Sequence, residues 1–274
     1  MKTKITIILL LASLLVTSKS ISQSKYGSIT YNKAINISGK QRMLSQKMSK
    51  AYLLLSKGVN NDEIKRELSS SKFIFEKQLE ILTENASSTA VKLSIKGVKK
   101  LWNQFKPLIE STPNYINSKD IIRLNTTLLK ACHELVLSIE VSSNYNNQFF
   151  KNKNQDLVNI INISGKQRML SQRLCLYYTA NTMFPNNSTE YKKIMTDVIN
   201  EFDSVIGNLL ISSYNSTEIE EELGSVMSLW EKLNTNKRGV MNGTFSIEEV
   251  FGITNNLTKS FNKITGQYET IANN

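Results

Sequence analysis

The sequence predicts an all-α protein built from two tandem four-helix up-down bundles. Three observations carry that prediction. Only three prolines occur in 274 residues, at Pro107, Pro113 and Pro185. Long segments carry apolar residues at three-to-four spacing, with turn signals roughly every 30 residues. The dodecapeptide INISGKQRMLSQ occurs twice without a change, at Ile35 to Gln46 and at Ile161 to Gln172. The copies are offset by 126 residues, and weaker echoes follow: Phe75-Glu76 against Phe202-Asp203, Leu101-Trp102 against Leu229-Trp230, and Leu128 before Lys130 against Leu257 before Lys259. The offset drifts to 129 at the last echo, as short loop insertions would make it. Each half is therefore one module of roughly 120 residues.

Taken in order, residues 1–22 read as a secretory signal peptide. Lys2 and Lys4 precede the apolar run Ile5 to Val16, and Ser20 and Ser22 stand at minus three and minus one of a cleavage point. The run of 12 residues is shorter than the ~20 needed to cross a bilayer. The expectation is an exported, soluble periplasmic protein beginning near Gln23, not an integral membrane protein once the leader is removed. The first module, residues 23–145, should hold helix one over 29–57, stopped by Gly58, and helix two over 62–84, opened by Asn61-Asp62-Glu63 as cap and acidic first turn. Helix three follows from Ser88 to Lys106, where Pro107 ends or kinks it, and helix four from Ser118 to Tyr145. The second module, residues 155–274, repeats the plan over 155–184, 188–212, 216–236 and 246–272. Between them the asparagine-rich stretch Asn144 to Gln155, with 146–154 as linker, either turns or stays helical. A turn would set the bundles side by side as an intramolecular pseudo-dimer; a continuous helix would give a rod.

The formal net charge is +11, and removing three leader lysines leaves 31 basic against 23 acidic side chains, or +8. Such a field favours anions or acidic partners without bearing on the fold. The basic residues are scattered, with no block and no interleaved aromatics, so no nucleic-acid partner is expected.

On a helix the first dodecapeptide and its continuation have two faces. Ile37, Leu44, Met48, Ala51 and Leu55 form an ordinary core stripe. Ile35, Gly39, Arg42, Gln46 and Leu53 lie opposite. Glycine inside a helix costs about 1 kcal/mol relative to alanine, so something should approach that backbone closely. A glycine one turn before an arginine makes a notch beneath a guanidinium, shaped for a small planar anion. The same notch suits a close helix-helix contact, and Arg42 or Arg168 could equally pair with a neighbouring helix. Lys40, Lys166, Gln41 and Gln167 read as rim residues, and Met43 and Met169 as packing. Identity at all twelve positions exceeds what packing requires, because cores tolerate swaps that keep shape.

The pattern Asn-x-x-Gly-x-x-Arg-Met-x-Ser, met by Asn36, Gly39, Arg42, Met43 and Ser45 and again by Asn162, Gly165, Arg168, Met169 and Ser171, resembles the signature of the PilJ-type domain, the N-terminal domain of type IV pili methyl-accepting chemotaxis transducers. It is also similar to the P-box of NarX-like nitrate/nitrite sensors. The resemblance implies a periplasmic four-helix sensor module whose first helices pair, with one anion between two arginines. Carried over, Arg42 and Arg168 are the anion ligands, Gly39 and Gly165 allow close approach, and Asn36, Asn162, Ser45 and Ser171 supply hydrogen bonds or packing. Lys40 and Gln41 depart from the nitrate P-box, which leaves the ligand open between a nitrate-like anion and another small polar molecule. No transmembrane or signalling region is read after the second module, so the chain is expected not to carry a signal inward by itself; an envelope protein is a further partner class. The alternative is a helical scaffold of the cell envelope with the motifs as packing seams.

Cys132 and Cys175 are the only cysteines and flank the linker symmetrically. If the linker turns, they could bridge; if it runs straight, they lie about 65 Å apart. Otherwise they are two small buried hydrophobes. His133 is the only histidine, so a metal site lacks ligands and a Ser-His-Asp site lacks its setting. No catalytic residue, metal or cofactor is expected.

Overall fold

In the computed structural model, which describes residues 25–59, 61–145 and 153–273, the chain enters its first helix through a short hairpin. The leader expected at 1–22 lies outside the described residues. β1 (Lys25–Tyr26) pairs antiparallel with β2 (Ile29–Thr30) around Gly27, whose φ of 61° suits a residue without a Cβ. Two-residue strands are too short for alternation to register in a sequence. Tyr26 ties the hairpin down by donating its hydroxyl to the Leu82 carbonyl at 2.8 Å.

α1 (Tyr31–Ser56) is capped by Thr30, whose hydroxyl accepts from the Lys33 N–H, and ends before Gly58 at φ 90°. α2 (Asp62–Asn85) opens on Asn61, which accepts from the Glu63 N–H. α3 (Thr89–Glu110) does not stop at Lys106 but continues through Pro107. The lost donor is outweighed by burial on both sides of the ring, where Phe105 and Ile109 stay in the core. α4 (Tyr115–Tyr145) and α5 (Lys153–Met183) follow, then a 3₁₀ turn at Pro185–Asn187, α6 (Ser188–Leu210) and α7 (Thr217–Thr235). An additional short helix, α8 (Lys237–Asn242), ends at Gly243 in the left-handed region, and α9 (Ile247–Asn273) completes the chain.

Side-chain pairings give the helix directions. α9 runs antiparallel to α1, with Asn36 bonded to Glu269 and Lys50 to Asn255. It is also antiparallel to α5, with Arg168 bonded to Asn262 and Gln172 to Thr258. The two motif helices α1 and α5 are therefore parallel, and they pack against each other at the centre of the molecule. α4 is antiparallel to α5, as Tyr115 bonds Met183 and Thr126 meets Tyr177, so the chain reverses between them. α2 and α4 pack on α1 and α3 on α4; α6 and α9 pack on α5 and α7 on α9. The result is two bundles side by side with the motifs at their seam.

Being central, α1 is buried on both faces. Ile37, Leu44, Met48 and Ala51 are in the core, and so are Ile35, Gly39, Arg42, Gln46 and Leu53. The sequence echoes are equivalent positions in space. Phe75 stacks on Trp102, whose indole N–H donates to Glu76 at 3.3 Å, and Phe202 stacks on Trp230, whose indole N–H donates to Asp203 at 2.5 Å.

The disulfide considered for Cys132 and Cys175 is not formed: both are free and buried. Their helices run antiparallel, but the two thiols have different surroundings. Cys132 feels the charge of Arg42, whereas Cys175 bonds Thr254 and Thr179 and feels Lys50. Arg42 and Lys50 are eight residues apart on α1, about 12 Å of helix rise.

Candidate functional site

The seam between α1 and α5 holds two arginines that are almost wholly enclosed, Arg42 at 1% exposure and Arg168 at 0%. Among the described residues, neither forms an ion pair with a carboxylate. Arg42 donates Nη2–H to Asn162 Oδ1 at 2.6 Å and places Nη1 3.3 Å from His133 Nδ1. Arg168 donates Nη1–H to Asn36 Oδ1 at 2.9 Å and to Asn262 Oδ1 at 3.2 Å, and Nε–H to the Gly165 carbonyl at 3.2 Å. Two buried donors are left without a partner, Arg42 Nε and Arg168 Nη2.

The motif glycines lie beneath these groups. A Cβ on Gly39 would meet Arg168 Nη2 at 3.4 Å and Arg42 Nη2 at 3.5 Å, and no other heavy atom of the surroundings within 4 Å. What approaches Gly39 is the pair of guanidinium ends rather than the backbone of α5. A Cβ on Gly165 would stand 2.7 Å from Arg168 Nη2.

The site has an approximate two-fold pattern. Asn162 of α5 crosses to Arg42 and also bonds Glu140 of α4. Asn36 of α1 crosses to Arg168 and donates its amide to Glu269 of α9. Glu140 and Glu269 are separated by 129 residues, the offset of the Leu128 and Leu257 echo, and so are His133 and Asn262. Each asparagine thus reaches into the opposite bundle, held between an arginine and a carboxylate.

Electrostatically the centre is dominated by burial, with Glu140 the leading carboxylate acting on Arg42 and Glu269 the one acting on Arg168. Burial pushes the Arg42 guanidinium down to about 10, partly offset by Glu140. Burial and then the charge of Arg42 push Arg168 down to about 9. His133 is lowered by burial, then by Arg42 and Lys166, and the Glu140 carboxyl is raised by burial. Burial is the leading cause of all four shifts, so each disfavours the charged form of its own group, the Glu140 carboxylate included. The arrangement leaves two buried guanidinium N–H donors, Arg42 Nε and Arg168 Nη2, unmatched by an acceptor among the described residues.

Of the residues the sequence singles out, Arg42, Arg168, Gly39, Gly165, Asn36 and Asn162 are gathered into one place. Ser45 and Ser171 are not part of it, since each hydroxyl donates to its own helix, at the Arg42 and Gln167 carbonyls. Gln41 and Gln167 are buried rather than on a rim, with Gln41 bonded across to α2 at Phe75 and Gln78. Glu140, Glu269, His133 and Asn262 join the site without being legible as its members. The signal that could have found them is the 129-residue echo in α4 and α9, which aligns each with its counterpart.

The fold and this seam define a class, a tandem helical sensor-type module with two facing buried arginines. The family model described as type IV pili methyl-accepting chemotaxis transducer N-term, PilJ, matches residues 30–123 and again 152–244, and the chain belongs to that family in two copies. Its members are non-enzymatic sensor domains, typically periplasmic. No curated protein and no solved structure matches the chain. Among the described residues, no helix is long and apolar enough to cross a membrane.

Proposed function

We propose that the chain is an exported, periplasmic sensor-type protein that binds one small anion of the nitrate or nitrite kind between Arg42 and Arg168. The observation that carries this reading is the enclosed pair of guanidinium groups with two orphaned donors and no carboxylate to pair with. An unsatisfied buried donor costs about 1–3 kcal/mol, and more when charged. A planar anion bonded to Arg42 Nε and Arg168 Nη2 would remove both penalties and the mutual repulsion. Gly39 puts no Cβ between the two guanidinium ends, and Asn36 and Asn162 hold those groups in the anion-free protein. The modules then act as the two halves of one receptor.

The test is a thermal-shift series with nitrate, nitrite and other small anions at constant ionic strength, on the protein and on Arg42→Ala and Arg168→Ala. A ligand at 100 times its Kd adds about 2.7 kcal/mol of stability, an easily visible shift. A selective shift that both variants lose supports the reading. No shift from any anion, together with unfolding of both variants, would instead make the seam a packing device.

A further inference from the structure

We propose that His133 is a third, proton-loaded ligand of the anion site, so that the protein takes up one proton on His133 Nδ1 when an anion binds between Arg42 and Arg168. The inference rests on the anion reading above and concerns the one place where the two-fold pattern of the site is broken.

His133 on α4 and Asn262 on α9 occupy equivalent positions, each against Nη1 of its own bundle's arginine, at 3.3 and 3.2 Å. Asn262 meets that donor with a carbonyl oxygen and never changes charge. His133 cannot do the same in both of its states. A guanidinium N–H only donates, so His133 Nδ1 must carry its lone pair toward Arg42, with the ring proton on Nε2. The contact exists only for the neutral ring.

An anion between the arginines removes that constraint. Once Arg42 turns its N–H groups to the anion, Nδ1 loses its donor and faces negative charge. A proton on Nδ1 then gives the anion one more N–H and restores a bond to the ring. The balance is simple: one anion and one solvent proton enter, and the added charge at the site is zero.

The charged groups around the ring agree with this sequence of events. From α1 Arg42 and from α5 Lys166 disfavour the imidazolium, while Glu201 of α6 and Glu134 on its own helix favour it. Glu140, a further two turns along α4, bonds Asn162 and answers to Arg42. Burial and the two cations prevail, so the ring is held neutral in the free protein. One anion placed beside Arg42 offsets the larger of the two cationic contributions and shifts the balance toward the imidazolium. His133 is only half-buried, so the proton has a route from solvent.

Because the chain contains a single histidine, the untagged protein reports on it directly. The first measurement is an NMR pH titration of the His133 ring, without and with saturating nitrate. The second is calorimetry of nitrate binding in two buffers of different ionisation enthalpy. The expected result is an upward shift of the ring's titration midpoint on adding nitrate, a buffer-dependent heat equivalent to proton uptake, and an affinity that weakens by up to tenfold per pH unit as pH rises between the free and bound midpoints. His133→Asn, which copies position 262, should bind nitrate with buffer-independent heat and a flat pH profile. Nitrate binding with an unmoved ring midpoint, or proton uptake that persists in His133→Asn, overturns the inference and leaves the anion site standing. No nitrate or nitrite heat at any pH overturns the anion site, and the inference with it.

Discussion

Arg42 and Arg168, 126 residues apart in the chain, bring their Nη2 atoms to within 3.5 Å of one point, the place a Cβ on Gly39 would occupy. The glycine therefore keeps a face clear rather than admitting a neighbouring backbone. Contacts of that length are ordinary, and alanine gains about 1 kcal/mol of helix propensity over glycine. Gly39→Ala should leave the melting temperature unchanged or higher while abolishing any nitrate-induced shift, because the methyl group fills the anion's place. Gly165→Ala should be less stable than Gly39→Ala, since its Cβ, 2.7 Å from Arg168 Nη2, forces that guanidinium off Asn36. Thermal melts of both variants with and without nitrate check this. A large loss of stability in Gly39→Ala would show that the seam tolerates no methyl there.

Lys50 and Glu67 form the most deeply buried ion pair of the described residues, at 2.5 Å, with Asn255 of the other bundle bonded to both and the Phe251 ring 4.5 Å from the ammonium. Removing one partner strands a buried charge. Lys50→Leu, which introduces the residue found at the equivalent position 176, should lower stability by about 3–5 kcal/mol. Adding Glu67→Leu should recover most of that loss, because a buried pair replaced by well-packed apolar groups is often neutral. Urea denaturation of the two single variants and the double variant measures the coupling directly.

Two partly buried groups at the site give opposite pH dependences of stability. His133 titrates lower in the folded protein than its ordinary 6.5. As pH falls through 6.5 the unfolded chain gains the proton first, so stability declines until the folded value is reached and is level below it. Glu140 titrates above its ordinary 4.5, so the folded state binds its proton first. Its contribution is present at low pH and is lost as pH rises from 4.5 through the folded value. Urea midpoints from pH 4 to 8 should lose the first slope in His133→Asn and the second in Glu140→Gln.

Both thiols are inert by their surroundings. Burial pushes Cys132 up to about 12 and Cys175 up to about 11, well above any working pH. Native protein should leave both cysteines unlabelled by a maleimide at pH 7 over hours. Urea-unfolded protein should label both without a reductant. Labelling of two thiols only after reduction would mean that a bridge had formed.

Most of the helical plan could be read from spacing and caps, because α1, α2 and α7 open on the capping side chains Thr30, Asn61 and Ser216 and carry one apolar face or an intact repeat. Pro107 misleads for a physical reason: the burial of Ile109 carries α3 one turn past a residue that favours stopping. The arginines, glycines and asparagines of the site were legible because two identical strings stand out against modules that otherwise differ. Their partners on α4 and α9 were hidden, because an acid or a histidine on a divergent helix looks solvated until the opposite helix is in place. Ser45 and Ser171 satisfy their own helix backbone, which agrees with the packing alternative the sequence left open for them.

The two motif helices belong to one chain, with only seven residues between Tyr145 and Lys153. A short tether holds its ends at an effective concentration in the millimolar range, far above that of any free subunit. Dilution therefore does not separate the two modules, and the meeting of Arg42 with Arg168 does not depend on how many copies of the chain are present.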